Sequence, residues 1–182
     1  MNSEGFAVFD TALGRCGIAW REQLVVSSQL PVASENALRA SLRRYAPGPA
    51  TPPPHIREAI VAIVALLAGE PRDLAEIPLD MSLVPEFPRR VYVAARKIPP
   101  GETLSYGELA RKLGEPGAAR AVGQALGRNP FAPIVPCHRV LAAGGKTGGF
   151  SAHGGRTTKL KMLAIECAAI GGQLPLGLSG KA

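Results

Sequence analysis

The charge of this chain changes sign near its middle, where prolines recur. Residues 1–84 carry seven arginines and no lysine against nine acids, a net charge of −2, whereas residues 85–182 carry fourteen basic residues against five acids, a net charge of +9. Domain boundaries tend to fall in proline-rich segments with such a shift of composition. We therefore predict two units, 1–84 and 85–182. The basic half favours contact with a polyanion, although a solvated basic surface without a partner fits the charge equally well.

The composition excludes several classes of protein. Apolar residues make up 46% of the chain and charged residues 19%, which excludes a disordered tail or a fibrous repeat. The longest apolar run, 59–68, is much shorter than the ~18–20 residues that cross a bilayer, and the first residues lack the order of a signal peptide. We therefore expect no membrane partner. Three cysteines (Cys16, Cys137 and Cys167) are too few for a disulfide framework, and so a reduced, cytoplasmic protein is expected.

The pattern of the first half predicts a small α/β unit. Apolar runs bounded by turn residues predict three strands, at 5–10, 13–20 and 74–81. Ser34 is placed to cap one helix. After a stiff loop with five prolines at 47–54, a largely buried helix is predicted over 55–69. We find no catalytic constellation in this half.

Two short helices joined by a tight turn are predicted in the second half. Ser105 and Glu108 have the spacing of a capping box, which opens a helix over 106–113. A turn that contains glycine leads to the second helix, over 118–126. Two short helices joined in this way form a helix-turn-helix.

The second of these helices has unusually small side chains. Gly123 costs up to ~1 kcal/mol in a helix interior relative to alanine, which indicates that something approaches this face closely. Arg120 is the one long cationic side chain of the helix. Contact with a nucleic-acid backbone is one interpretation and tight packing inside the domain is the other. The helix taken alone favours packing.

The segment around Cys137 carries the strongest chemical signal. Pro133 and Pro136 restrict the backbone ahead of the cysteine. His138 and Arg139 follow it, and neighbouring cationic groups favour the nucleophilic thiolate. Because adjacent side chains of an extended chain point to opposite sides, His138 would need a water or a local turn to take the thiol proton. An inert buried cysteine is the alternative, but it leaves the prolines and charges unexplained.

Four motifs of the second half occur in a specific order and spacing. They are Ile-Pro-Pro-Gly-Glu-Thr-Leu-Ser-Tyr-Gly-Glu-Leu-Ala at 98–110, Ala-Arg-Ala-Val-Gly at 119–123, Asn-Pro at 129–130 and Pro-Cys-His-Arg-Val at 136–140. Together they resemble the methylated-DNA–protein-cysteine methyltransferases, or O6-alkylguanine-DNA alkyltransferases, over about residues 87–170. The resemblance implies an α/β, ribonuclease-H-like domain at 1–84. It implies a mainly α, winged-helix-like domain with a helix-turn-helix at 85–182.

The resemblance also implies a catalytic set. Cys137 would accept the alkyl group, and His138 would act as a base through water. Glu166 would orient that histidine, and Asn129 would be a hinge between the helix-turn-helix and the cysteine segment. Tyr106 would donate to the leaving guanine and offset its negative charge.

The implied partner is double-stranded DNA that contains alkylated guanine, bound by a monomer from the minor groove. Arg120 would enter the base stack and hold the place of the flipped nucleotide. The other implied DNA-binding residues are Ser105, Ala119, Ala121, Gly123 and Arg139. The implied substrate pocket consists of Tyr106, Leu126, Val140, Phe150 and Ser151. Phe150 stands where the family often has tyrosine, and the loop at 151–155 is longer than in common members.

The implied reaction consumes the protein and uses no metal and no organic cofactor. Sulfur attack on O6-alkylguanine, with O4-alkylthymine as a further candidate, leaves a thioether that no residue here is placed to hydrolyse. Cys16 and His55 alone cannot form a four-ligand zinc site. The alternatives are a lesion-binding relative, which would lack the cysteine; a helix-turn-helix regulator, which would offer more long polar side chains; and a cysteine hydrolase, for which no oxyanion hole is marked.

Overall fold

The first half of the chain folds around a three-stranded antiparallel sheet, in a computed structural model that describes residues 4–167. The strands are β1 (Glu4–Thr11), β2 (Gly14–Arg21) and β3 (Leu24–Gln29). The first two strands confirm the sequence prediction, whereas β3 is absent from it. A tight turn with Glu22 at φ 53° joins β2 to β3, and positive φ is typical of such hairpin turns.

The predicted strand at 74–81 is wrong. Within this segment, Leu79 forms an isolated bridge with Val25 of β3. The carbonyl of Pro78 accepts a hydrogen bond from Val25, but proline has no amide hydrogen to donate, and so a ladder cannot continue through it. The segment is a linker that the guanidinium of Arg96 holds in place. The carbonyl oxygens that accept from Arg96 are those of Leu74, Ala75 and Ile77.

Both predicted helices of the first half are present. They are α1 (Glu35–Leu42) and α2 (Pro54–Leu67). The Oγ of Ser34 accepts a hydrogen bond of 3.2 Å from the backbone N–H of Ala37, and so Ser34 caps α1 as predicted. Helix α1 lies against β2 at Gly17, where an added Cβ would come within 2.5 Å of the Leu42 side chain. A glycine is needed for this close approach of helix and strand.

The helices within residues 4–167 include none with both the length and the apolar character to cross a bilayer. Helix α2 has 14 residues, whereas a membrane span needs ~20. Its buried apolar residues instead pack in one core with residues of the three-stranded sheet.

The second half is mainly helical. Its elements are α3 (Glu86–Ala95), β4 (Leu104–Ser105), α4 (Tyr106–Lys112), α5 (Ala119–Gly127), β5 (Val140–Leu141) and α6 (Gly155–Ile165), with β4 and β5 paired in parallel. The Oγ of Ser105 accepts from the N–H of Glu108 at 3.1 Å, and the Glu108 carboxylate accepts from the N–H of Ser105 at 2.6 Å. This capping box confirms the predicted start of α4, and α4 and α5 are the predicted pair of short helices.

The two halves share a hydrophobic core. Ile18 and Trp20 of β2 belong to the same buried cluster as Ile134 and Met162 of the second half. A second cluster, formed around α3, α4 and α5, lies beneath the cysteine segment. The division at 84/85 therefore stays a prediction, because the packing crosses it.

Strand β3 also braces the segment that leads to Cys137. The carbonyl of Pro130 accepts hydrogen bonds from the backbone N–H of Ser28 at 2.9 Å and from the Oγ of Ser27 at 3.0 Å. The first half of the chain thereby positions the backbone just before the predicted nucleophile.

Candidate active site

Cys137 lies in a tight helical turn and not in an extended chain. The turn is a 3-10 helix over Cys137–Arg139, closed by a hydrogen bond of 3.0 Å from the N–H of Arg139 to the carbonyl of Pro136. The assumption of an extended chain with adjacent side chains on opposite sides is therefore wrong here. Only 7% of Cys137 is exposed, and His138 is fully buried.

Asn129 ties the end of α5 to the cysteine turn. Its Nδ2 donates to the carbonyl of Val135 at 2.8 Å, and its Oδ1 accepts from the N–H of Phe131 at 2.9 Å. The resemblance implies a hinge asparagine between the helix-turn-helix and the cysteine segment, and these two hydrogen bonds join those segments. Burial raises the pKa of the Cys137 thiol, and a hydrogen bond with Asn129 partly opposes that rise. The resting cysteine is therefore a thiol that needs a base.

His138 is the ionisable side chain that directly follows Cys137 in the turn. Its Nε2 lies 2.8 Å from Oε1 of Glu166, the residue that the resemblance assigns to orient it. Burial lowers the pKa of His138, and so the ring is neutral at pH 7. With the Nε2 proton donated to Glu166, Nδ1 keeps a lone pair, and that atom has no hydrogen-bond partner among residues 4–167. Nδ1 can therefore accept a proton.

Arg139 is buried beside Glu166. Its Nε and Nη2 donate to the two oxygens of the Glu166 carboxylate at 2.9 and 2.8 Å, and its Nη1 donates to the carbonyl of Ile98 at 2.6 Å. Only 3% of Arg139 is exposed. The expectation that Arg139 contacts DNA is therefore corrected, since all three of these donors point into the protein. Burial alone would raise the pKa of Glu166, but hydrogen bonds from His138 and Arg139 lower it to about 2.

Lys159 is a site residue that the sequence analysis missed. It is fully buried on α6, and its Nζ donates to the carbonyl of Val140 at 2.6 Å. The ammonium lies 5.6 Å from the ring centre of Tyr106 and 5.8 Å from that of Phe150. Burial lowers the pKa of Lys159 to about 8, and its charge lowers the pKa of Cys137. Lys159 therefore stabilises the thiolate once it forms.

A cavity of about 540 Å³ leads from the surface of α5 to Cys137. It brings together residues that the resemblance assigns to substrate and DNA: Tyr106, Ala119, Arg120, Gly123, Leu126, Phe150 and Ser151. Val140, which was expected in the substrate pocket, is fully buried and is not among the residues that line this cavity. Ser105 lines a neighbouring groove with Arg120, and Ala121 is half-buried on α5.

Gly123 of α5 faces the ring of Tyr106. An added Cβ would lie 3.8 Å from that ring, which is ordinary van der Waals contact. Packing within the described part of the chain therefore does not require a glycine here. Burial raises the pKa of Tyr106, and so its hydroxyl keeps a proton to donate at neutral pH.

The site has no arrangement of side chains suited to a metal within residues 4–167, where no three His, Cys, Asp or Glu residues cluster. Cys16 is fully buried in the first half, and burial raises its pKa to about 11 despite a hydrogen bond with Thr11. It is an inert part of the core.

Comparison with known proteins places these features in one family. The family model described as the DNA-binding domain of 6-O-methylguanine DNA methyltransferase matches residues 86–168. The methylated-DNA–protein-cysteine methyltransferase of Methanosarcina acetivorans is 46% identical over 113 residues, which cover 60% of this chain and 68% of that relative. The chain belongs to this methyltransferase family.

Other members of the methyltransferase family match shorter or longer parts of the chain. The enzyme of Mycolicibacterium paratuberculosis is 50% identical over 109 residues, covering 59% of this chain and 63% of the relative. The chain thus spans less than two thirds of that protein. The crystal structure of Mycobacterium tuberculosis OGT in complex with DNA has a TM-score of 0.71 and 36% identity, over 89% of this chain and 92% of that one. The mixed α/β fold is therefore shared along most of the chain.

Proposed function

We propose that this methyltransferase homologue repairs DNA by irreversible transfer of the alkyl group of O6-alkylguanine to Sγ of Cys137. The observation that carries the proposal is a cavity that opens beside Tyr106 and Arg120 and reaches Cys137, whose neighbour His138 is hydrogen-bonded to buried Glu166. The names of the relatives and the DNA complex of the M. tuberculosis protein support the same activity.

Each residue of the site has a separate role in moving the proton or stabilising the charge during this reaction. Nδ1 of His138 takes the thiol proton, directly or through a water, while ionised Glu166 stabilises the imidazolium. Lys159 stabilises the thiolate electrostatically. The Sγ–C bond then forms as the C–O6 bond breaks, and the electron pair of that bond passes to guanine. The hydroxyl of Tyr106 donates to the leaving base, which finally holds the proton that the thiol lost.

The product is a thioether, and the protein is consumed. A thioether resists hydrolysis, because water would have to displace a thiolate from a saturated carbon, and so we expect one alkyl group removed per chain. A titration of excess O6-methylguanine oligonucleotide with protein checks this. A plateau at one lesion per chain is the expected result, and a plateau that rises with time to several lesions per chain would rule out the proposal.

The proposed substrate reaches the cavity as a flipped nucleotide. Helix α5 presents the exposed Arg120 and a row of small side chains, in a half of the chain with net charge +9. This surface suits the minor groove of duplex DNA. We further infer a ribonuclease-H-like unit at 1–84 and a winged-helix-like unit at 85–182, with the described strands and helices as support.

Replacing the wedge residue tests the DNA part of the proposal. Arg120→Ala is expected to slow repair of O6-methylguanine in duplex DNA by about 10- to 100-fold, because the base then leaves the stack without compensation, at a cost of a few kcal/mol. Reaction with free O6-benzylguanine should stay nearly unchanged. Single-turnover rate constants on both substrates measure the difference.

The matched control is Arg57→Ala, which removes an exposed arginine from α2. It should leave both rates as they are. Equal losses on duplex and free base in Arg120→Ala would remove the wedge role.

A further inference from the structure

Cys137 lies at the junction of two cavities. The first is the cavity beside α5 described above, and the second is a cleft of about 320 Å³ between the two halves of the chain. Both are lined by Cys137, Phe150 and Ser151. The base-side cavity and this second cleft therefore both border Cys137.

The lining of the second cleft is cationic. Arg44 from the first half and Arg128 from the end of α5 both line it, and its lining includes no aspartate or glutamate. Arg44 donates to the Oγ of Ser41 at 2.8 Å and approaches the Ser41 carbonyl at 3.4 Å. Neither arginine forms an ion pair with any residue in the part of the chain that is described, and both are exposed. An anion in the cleft would offset this concentration of like charge.

The loop after Phe150 adds a further polar group to the same cleft. His153 lines the cleft, and its carbonyl accepts a hydrogen bond of 2.7 Å from Oγ1 of Thr158. Ala152 and Phe150 pack against the core that the two halves share. The loop is therefore held by α6 through Thr158 and by the core through Phe150 and Ala152. It forms one wall of the cleft.

We propose that this cleft receives the tail of O6-substituents longer than methyl, and that it selects tails ending in a carboxylate. The substrate class is O6-(carboxyalkyl)guanine, and the inference rests on the proposed function. The Sγ–C bond forms at the carbon that bears the tail, the C–O6 bond breaks, and guanine takes the proton released by the thiol. The carboxylate is unchanged by the reaction, and it pairs with Arg44 and Arg128.

A matched pair of substrates tests the proposal. Oligonucleotides with O6-(carboxybutyl)guanine and with its neutral amide, O6-(carbamoylbutyl)guanine, have tails of nearly equal size and differ in charge. In the wild-type protein, the single-turnover rate for the acid is expected to exceed that for the amide by about fivefold at low salt, the upper range for an exposed ion pair. The preference should shrink as salt is raised. O6-methylguanine in the same sequence is the reference.

The double variant Arg44→Gln and Arg128→Gln is expected to lose this preference and to keep the wild-type rate on O6-methylguanine. Arg43→Gln is the control, since Arg43 is also exposed and is next to Arg44 but does not line the cleft. That variant should keep the preference.

The possible results separate the two levels of the proposal. Equal wild-type rates on acid and amide, or a preference that persists in the double variant, would overturn the inference about the cleft. If the double variant slows transfer from all three substrates by the same factor, the arginines contact the DNA backbone. That result would also overturn the inference about the cleft. Absence of transfer from O6-methylguanine in the wild type would instead refute the proposed function.

Discussion

Cys137→Ser is expected to lose alkyl transfer by at least about 1000-fold, the scale seen when a nucleophile is removed from a preorganised site. A serine hydroxyl at this position keeps its proton far more firmly than a thiol, and the neutral His138 is too weak a base to remove it. Binding to DNA that contains O6-methylguanine should stay near the wild-type level, because Cys137 is only 7% exposed and the change replaces one atom. Single-turnover repair and fluorescence anisotropy measure the two quantities.

A second cysteine provides the control for this variant. Cys167→Ser changes an exposed thiol and should retain full transfer. Transfer that persists in Cys137→Ser, or that disappears in Cys167→Ser, would show that another group accepts the alkyl carbon.

Glu166→Ala is expected to lower both stability and activity. The change leaves Arg139 buried without its counter-charge and His138 without its hydrogen-bond acceptor. Removing one partner of a buried ion pair costs about 3–5 kcal/mol of unfolding free energy. Transfer should slow by about 100-fold or more, since the imidazolium is no longer stabilised. Urea unfolding and single-turnover rates, the latter measured well below the melting temperature, report the two effects.

Glu166→Gln separates orientation from charge. The amide fills the same space and can still accept from Arg139, and so this variant should unfold with a smaller loss than Glu166→Ala. It cannot supply the negative charge, and transfer should remain slow. A glutamine variant with wild-type rates would limit Glu166 to a structural role.

The acid dependence of stability follows from the same carboxylate. The folded-state pKa of Glu166 is about 2, below the ordinary value of 4.5, and so its stabilising effect is present above about pH 4.5 and is lost as pH falls toward 2. Integrated over that window, the contribution is about 3 kcal/mol. Wild-type unfolding free energy should therefore fall more steeply there than that of Glu166→Gln. Identical acid profiles would contradict the assignment.

Local features of the fold could be predicted from the sequence. Ser34 caps α1, and Ser105 with Glu108 opens α4, because a cap is decided by residues three positions apart. The linker at 74–81 could not be predicted, since its apolar composition resembles a strand and its conformation depends on Pro78 and on Arg96 from beyond the linker. Strand β3 was missed for a related reason, because its short apolar run is stabilised by pairing with β2.

The site residues also differ in whether neighbouring positions or distant contacts decide their roles. Cys137 and His138 are marked by adjacent residues, and the resemblance adds Glu166. The burial of Arg139 depends on Glu166, which lies 27 positions away, and an arginine in a basic half equally suggests DNA contact. Lys159 carried one signal, its spacing of three and four residues from the buried Met162 and Leu163 of α6, which places a lysine on an apolar face.

The central claim is that one sulfur atom accepts the alkyl carbon and keeps it. Incubation of the protein with DNA that contains O6-methylguanine, followed by peptide mass analysis, tests this most directly. We expect the peptide that bears Cys137 to gain the mass of one methylene group, in proportion to the lesions repaired. Repaired DNA with an unmodified Cys137 peptide, or with the added mass on a different peptide, would contradict the account.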